Sequence, residues 1–421
     1  MFGLGLSIPE IAVRARGSQY AGYSLALDFK NGLYRSGSTL KSDITQLPGY
    51  SYARTGAKYE LDASGSPLAF AANVPGIVPG VGYWARAAIT NPILNNCAFT
   101  NASWTRRGTF AAVDNNTTAP DGTMTASLFT GVAASGTGDI YDTASTTTPS
   151  RFPNSTVCTP SIWVKKVSNT GTLSIGSPFG SANGLWTVNL SLLGAGWERL
   201  TATHAAVTIR NAWVSTATGQ NGLNIFCSAG SPISFYTWGA QLVTGSLPGP
   251  IIVTTSAAAT VALDNMQLSQ PMPIDEDWII YATVNYQAAP PTAGDLPFCF
   301  SDGTASNSEA TYHPASGTLG ALHSNGGATI TPGSSVSQTV AGRAALLLRR
   351  RGGKYAAAAK NSAGTIGVGA DGATTAFATG LNRFDIGNQL GLYYVNAPIE
   401  FIGYKRGTFS DADLTALLTA A

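Results

Sequence analysis

Short runs of Val, Ile, Thr, Trp, Tyr and Phe alternate with Gly, Asn, Asp, Ser and Pro at roughly 8–12-residue intervals along almost the whole chain. That rhythm predicts short strands joined by tight turns. It leaves no room for the amphipathic crossovers that a parallel βαβ sheet requires. One helix is expected, at the C-terminus, where Ser410 is placed to cap, Asp411 and Asp413 fall in the first turn, and Leu414, Leu417 and Leu418 follow at helical spacing. The fold class is therefore all-β: tandem antiparallel β-sandwiches or jelly rolls, preceded by an extended N-terminal segment and closed by one short helix.

A chain of 421 residues has room for two to four domains at roughly 100–200 residues each. Composition shifts place the boundaries. Residues 1–90 read as an N-terminal segment with short strands, such as Leu25-Ala26-Leu27-Asp28-Phe29, ending in the Gly- and Pro-studded stretch from Gly76 to Gly82. Residues 91–255 hold Trp104, Trp163, Trp186, Trp197, Trp213 and Trp238 and read as one jelly roll. Residues 256–269 read as a linker, and 270–421 as a further β-sandwich. In the last, Gly352-Gly353 between Arg349-Arg350-Arg351 and Lys354-Tyr355 predicts a two-residue hairpin with both glycines at positive φ.

Charged residues are only 11% of the chain, with 24 basic against 22 acidic, where about 25% charged is usual. The aromatic content of 10% argues against disorder. The near-zero net charge argues against nucleic acid as a partner. The long charge-free run Asn211–Leu263 is broken by glycine and proline from Gly219 to Pro250, so no membrane-spanning helix is expected. The first ten residues lack a basic region and carry Pro9 and Glu10, so no signal peptide is expected either. Because interface cores are depleted in charge, the charge-free run is expected to be more buried in an oligomer than in the isolated chain.

The chemistry-bearing residues are sparse. Cys97, Cys158, Cys227 and Cys299 form no C-x-x-C pair and read as buried thiols, with one or two disulfides as the alternative; His204, His313 and His323 share no motif spacing. No metal site or catalytic residue is assigned. Of the carboxylate pairs a glycosidase would need, Asp139 and Asp142 are spaced to point to opposite faces of a strand, and Asp275-Glu276-Asp277 reads as a solvated loop. The Asp121-Gly122, Asp302-Gly303 and Asp371-Gly372 turns offer oxygen ligands for Ca²⁺, although turn chemistry already accounts for them. Trp186, Tyr393 and Tyr394 are the candidate glycan-stacking residues, weighed against a place in the core. The Arg349-Arg350-Arg351 cluster with Lys354 reads as a solvated hairpin or subunit contact, with Arg350 facing opposite to its neighbours.

Several stretches carry a resemblance. Leu47-Pro48-Gly49-Tyr50, Ala71-Ala72-Asn73-Val74-Pro75 and the stretch Gly82…Arg86…Thr90-Asn91 resemble the N-terminal module of many tailed-phage and prophage structural proteins. Phe99-Thr100-Asn101-Ala102-Ser103-Trp104, Ala119-Pro120-Asp121-Gly122-Thr123, Trp197-Glu198-Arg199-Leu200 and Trp238-Gly239-Ala240-Gln241-Leu242 are similar to the carbohydrate-binding-module-like jelly roll of those proteins. Phe300-Ser301-Asp302-Gly303-Thr304, the Arg351 hairpin, Asn382-Arg383-Phe384-Asp385-Ile386-Gly387 and the Phe409–Leu414 stretch look like a concanavalin-A-like, laminin-G-like lectin domain. Tyr83-Trp84-Ala85-Arg86 lacks the acidic residue that usually precedes the arginine in the first module, so no role is carried over for it. The resemblance implies a non-enzymatic virion component of tail-fibre, head-fibre or decoration type, located on the phage particle. It would be a homotrimer, docked to capsid or tail through residues 1–90, and its partner at the far end would be host-surface glycan. A glycan-degrading tailspike-type enzyme and a free bacterial lectin are the alternatives.

Overall fold

A computed structural model describes residues 20–108, 110–131, 138–142, 156–168, 171–176, 185–210, 213–214, 222–227, 233–269, 276–287, 295–313, 317–390, 394–395 and 397–421. The fold is all-β, with antiparallel sheets and a C-terminal helix Asp411–Ala420. That helix starts as expected: the Ser410 side chain accepts from the Asp413 amide and Asp413 reaches back to the Ser410 amide, a reciprocal cap. The Gly352-Gly353 turn also forms, with φ of 56° and 74°, closing the pair Arg351 and Lys354.

The chain divides into two units. Of the described residues, those within Met1–Thr55, Asn73–Ala87 and Leu263–Ala421 form the first, and those within Gly56–Ala72 and Ala88–Ala262 the second. In the first unit one sheet runs Thr39–Lys41, Leu33–Ser36, Leu25–Asp28, Pro398–Arg406, Trp278–Tyr286, Gly342–Arg351, Lys354–Lys360 and Ile366–Val368. A second sheet contains Thr318–Asn325, Ser308–Tyr312, Phe298–Ser301, Arg383–Ile386, Asn265–Leu268 and Tyr50–Ala53. Their facing sides share a core of Leu27, Trp278, Ile280, Leu346, Phe300, Phe384 and Ile402, among others. The strand Trp278–Tyr286 is buried on both faces, because Ile279 and Tyr281 on its outer side lie with Leu414 and Leu418 of the helix. This is why its sequence reads as a continuous apolar run rather than an alternation.

The second unit is built mainly on two larger sheets, beside the two-stranded pairings of Lys58–Leu61 with Pro67–Phe70 and of Ile89–Asn91 with Ala259–Val261. One sheet runs Trp104–Arg107, Gly138–Asp142, Asn224–Cys227, Thr172–Gly176, Leu185–Asn189 and Val207–Arg210. The other runs Ala111–Thr117, Ala126–Gly131, Ile233–Thr244, Val157–Lys166 and Glu198–Leu200. Phe99, Phe129, Phe235, Ile225 and Trp186 are among the residues filling the space between them.

Two boundary expectations are corrected. The described part of residues 1–90 is not a free-standing segment: Leu25–Asp28 is a fully buried inner strand paired to Leu33–Ser36 and Pro398–Arg406, and the hairpin Lys58–Leu61 with Pro67–Phe70 belongs to the second unit. The expected linker 256–269 is structured, since Ala259–Val261 pairs with Ile89–Asn91 and Asn265–Leu268 pairs on both sides. Met266 and Leu268, two residues apart, supply the inward face that makes Asn265–Leu268 a strand. Finally, Ile233–Thr244, the longest described strand of the charge-free run, is flanked by Ala126–Gly131 and Val157–Lys166, and most of its residues are buried within the chain itself. Central position in a sheet accounts for the lack of charge along this strand.

The chain passes between the units at residues 55/56, 72/73, 87/88 and 262/263. Close to these points, within the first unit, sits Asp264. Its Oδ2 accepts from the Arg86 amide at 3.0 Å, its Oδ1 accepts from the Tyr52 hydroxyl, and Oδ1 lies 3.7 Å from Arg54 Nη1. Arg54 in turn donates to the Val74 carbonyl at 3.1 Å, and its amide donates to Asn73 Oδ1 at 3.1 Å. One buried carboxylate thus ties, directly or through Arg54, four separated stretches of chain.

Candidate binding site

A cavity of about 310 Å³ opens on the outer face of the first unit's helix-bearing sheet. Its floor follows from strand register. Asp28, Phe401 and Thr283 stand in one row across three neighbouring strands, and Ala26, Gly403 and Tyr281 in the next. Glu400 enters by an irregularity: Ile399 pairs with Val284 and Phe401 with Thr283, so Glu400 is an extra residue at a β-bulge. The bulge turns Glu400 toward the cavity beside Phe401 while Ile399 stays in the core. Gly403 leaves space for the rings: a Cβ there would lie 2.5 Å from Phe401 Cε1 and 2.6 Å from Tyr23 Cε1.

The aromatic wall is Tyr20, Tyr23, Tyr281 and Phe401. Tyr20 stacks on Phe401 at 6.1 Å and 18°, Tyr23 meets Phe401 edge-on at 5.7 Å, and the Tyr23 and Tyr281 hydroxyls are 2.6 Å apart. Burial raises the pKa of both tyrosines, with the hydrogen bond from Tyr281 opposing it at Tyr23. Two carboxylates line the cavity, Asp28 and Glu400, 4% and 3% exposed. Asp28 accepts from the Tyr20 hydroxyl and from the Asn31 amide and Nδ2 at 2.9 and 2.8 Å. Glu400 accepts from Lys30 Nζ at 3.0 Å and Arg343 Nε at 2.6 Å, and Arg343 also donates to the Ala421 carbonyl. Every oxygen of both groups receives a hydrogen bond. The Thr283 hydroxyl, 2% exposed in the floor, has no hydrogen-bond partner among the described residues.

The residues singled out from sequence lie elsewhere. Trp186 is 2% exposed and packs in the second unit's core beside Ile175, so it offers no face to a sugar. Tyr393 lies outside the described residues. Tyr394 is half-buried with its hydroxyl turned inward and unpartnered among the described residues; burial, with Asp264 and Asp385 nearby, pushes its pKa up to about 12.

Asp139 binds Arg107 and accepts from Asn224, while Asp142 lies on the opposite, core-facing side of its strand, so the two carboxylates do not converge. Asp275 lies outside the described residues; Asp277 accepts from the Gly352 amide and the Thr408 hydroxyl. Asp121 and Asp302 each accept from the amide and hydroxyl of the threonine two residues on, as turn residues do. Asp371 instead pairs with Arg349 and Arg351.

The basic cluster is corrected too: Arg349 is buried, bound to Asp371, Asp411 and the Phe409 carbonyl, whereas Arg350 turns the other way to the Glu276 carbonyl. The four cysteines form no disulfide. Among the described residues no cluster of three or more His, Cys, Asp or Glu is placed to hold a metal, and no helix is long and apolar enough to cross a membrane.

One further constellation deserves comparison with hydrolase triads. Thr375 Oγ1 is 3.4 Å from His323 Nε2, and His323 Nδ1 is 2.7 Å from Glu309 Oε1. Tyr355 stacks on the imidazole at 4.2 Å and donates to the same Glu309 oxygen at 2.9 Å. His323, Glu309 and Tyr355 are all buried between the sheets, so the imidazole has no approach for a substrate and the network acts as a core fastening.

Sequence reasoning missed every residue of the cavity. The available signal was an acidic residue inside an apolar strand, Glu400 between Ile399 and Phe401, which a buried strand accommodates only with partners.

No protein-family model and no curated protein matches the chain. Among solved structures the likeness is weak. The CBM40 of Ruminococcus gnavus IT-sialidase matches at 19% identity and a TM-score of 0.28, over 34% of this chain and 83% of that one. A leech intramolecular trans-sialidase matches at 16% and 0.28, over 35% and 24%. Domains LG4-5 of the mouse laminin alpha1 chain match at 8% and 0.25, over 79% and 93%. None of these names a phage protein.

Proposed function

We propose that this chain is a non-catalytic glycan-adhesion protein, of the fibre or decoration type found on tailed-phage particles. The observation that carries the adhesive part is the cavity on the first unit. It combines an aromatic wall, two buried carboxylates with every oxygen occupied, half-exposed Lys30 and Arg343, and an unpartnered Thr283 hydroxyl. Pockets of about 300 Å³ and upward with a few convergent polar groups suit small ligands, and sugar C–H faces pack on aromatic rings while hydroxyls take the polar neighbours. The virion part rests on the ordered sequence resemblance. With it go the homotrimer, docking to a capsid or tail protein through the N-terminus, and a location on the particle surface. Individually weak sites repeated on a trimer would raise effective affinity by multiplicity.

The test is binding of the purified full chain to a glycan array, together with its oligomeric state by sedimentation. Binding is expected from an oligomer, without release of reducing sugar. It should fall at least about tenfold in Tyr23→Ala, which removes a wall of the cavity, and in Gly403→Ala, whose methyl group must displace two rings. Absence of binding to any glycan, or binding unchanged in both variants, would overturn the adhesive reading. A monomer would overturn the trimer.

A further inference from the structure

We infer that the ligand of this cavity is a neutral sugar rather than an acidic one, an inference that rests on the glycan reading above. The charges lining the cavity cancel, Lys30 and Arg343 against Asp28 and Glu400. Both cations are committed to the same carboxylate: Lys30 to Oε1 and Arg343 to Oε2 of Glu400. Their side chains are 42% and 46% exposed while that of Glu400 is 4% exposed, so the carboxylate depends on them more than they depend on it. Asp28 is held by the uncharged donors Tyr20 and Asn31. Lys405, the other cation near the wall, lies over the Tyr23 ring at 4.2 Å and does not line the cavity.

A uronic or sialic acid entering here brings a third carboxylate close to two fixed ones. To gain an ion pair it must share Lys30 or Arg343 with Glu400, whose buried charge those two cations already offset. A neutral sugar makes no such demand. Its hydroxyls can use Asn31, the remaining N–H groups of Lys30 and Arg343, and the Thr283 hydroxyl, while its apolar face meets the aromatic wall.

The experiment is titration calorimetry of the full chain with neutral oligosaccharides that bind on the array, paired with the same sugars oxidised at C6 to the uronic acid. The neutral member of each pair is expected to bind at least about tenfold more tightly. Glu400→Gln releases both cations and should narrow or invert that ratio. Lys30→Gln, a change on a half-exposed side chain, should widen it. Tighter binding of the acids by the unaltered chain, or a ratio that neither variant moves, would overturn the inference and leave the glycan reading standing. If neither member of any pair binds, the glycan reading itself fails.

Discussion

Replacing Asp264 by alanine is expected to destabilise the first unit by about 3–5 kcal/mol, the range for removing one member of a buried ion pair. The side chains of Asp264 and Arg54 are both fully buried. The alanine variant leaves the Arg54 guanidinium in the interior without this carboxylate and takes the side-chain acceptor from the Arg86 amide and the Tyr52 hydroxyl. Because those contacts, directly or through Arg54, gather chain segments that flank all four passages between the units, the loss falls on the association of segments distant in sequence. Native-state hydrogen exchange of the amides in Trp278–Tyr286 reads the stability of this unit directly. The double variant Arg54→Met/Asp264→Leu should recover part of the loss, since matched apolar groups often replace a buried pair at little cost. A loss below about 1 kcal/mol in Asp264→Ala, the scale of an exposed pair, would contradict this role.

The second large effect is on pH dependence, and its seat is Asp295. This carboxyl group is fully buried, and neither oxygen has a partner in hydrogen-bond geometry among the described residues. Burial pushes its pKa up to about 8, against an ordinary 3.8, with nearby Tyr286 opposing. The folded state therefore holds this proton more tightly than the unfolded chain does. Its contribution to stability is fully present below pH 3.8 and is lost as pH rises through about 8. At about 1.4 kcal/mol per pH unit the whole window amounts to some 5–6 kcal/mol as a ceiling. His313, bonded to Asp295 through paired backbone groups, acts in the opposite sense: burial lowers its pKa, so its contribution is present above 6.5 and lost as pH falls. Asp295→Asn keeps the shape and removes the titration. Urea unfolding at pH 5 and pH 9 should show the parent chain markedly weaker at the higher pH, and the asparagine variant level or somewhat stronger there because only the His313 contribution remains. An equal drop in both would place the pH sensitivity elsewhere.

What could be read from the sequence was what is encoded locally. Strand spacing, the Ser410 cap and the Gly352-Gly353 turn each depend on residues a few positions apart, and each formed. The unit boundaries depend on pairings such as Leu25–Asp28 with Phe401–Tyr404, separated by more than three hundred residues, and no local pattern announces them. The cavity was hidden for the same reason, and further by the bulge at Glu400, which shifts side-chain alternation by one residue. Trp186 misled because a tryptophan in a short strand serves equally as a sugar platform or as core. Only its partner strand, which places Ile175 opposite it, decides for the core. The low charge of residues 211–263 likewise has a cause inside the chain, in the described central strand Ile233–Thr244.

The central claim is that ligand is held on the outer face of the first unit by the Tyr20, Tyr23, Tyr281 and Phe401 wall. Its most direct test is photo-crosslinking of the full chain with a diazirine-bearing neutral oligosaccharide that binds on the array, with the labelled residues mapped by mass spectrometry. Label on cavity-lining residues such as Tyr23, Lys30, Asn31 or Phe401, competed away by the unmodified sugar, is the predicted result. Competable label confined to residues 88–262 would contradict the assignment.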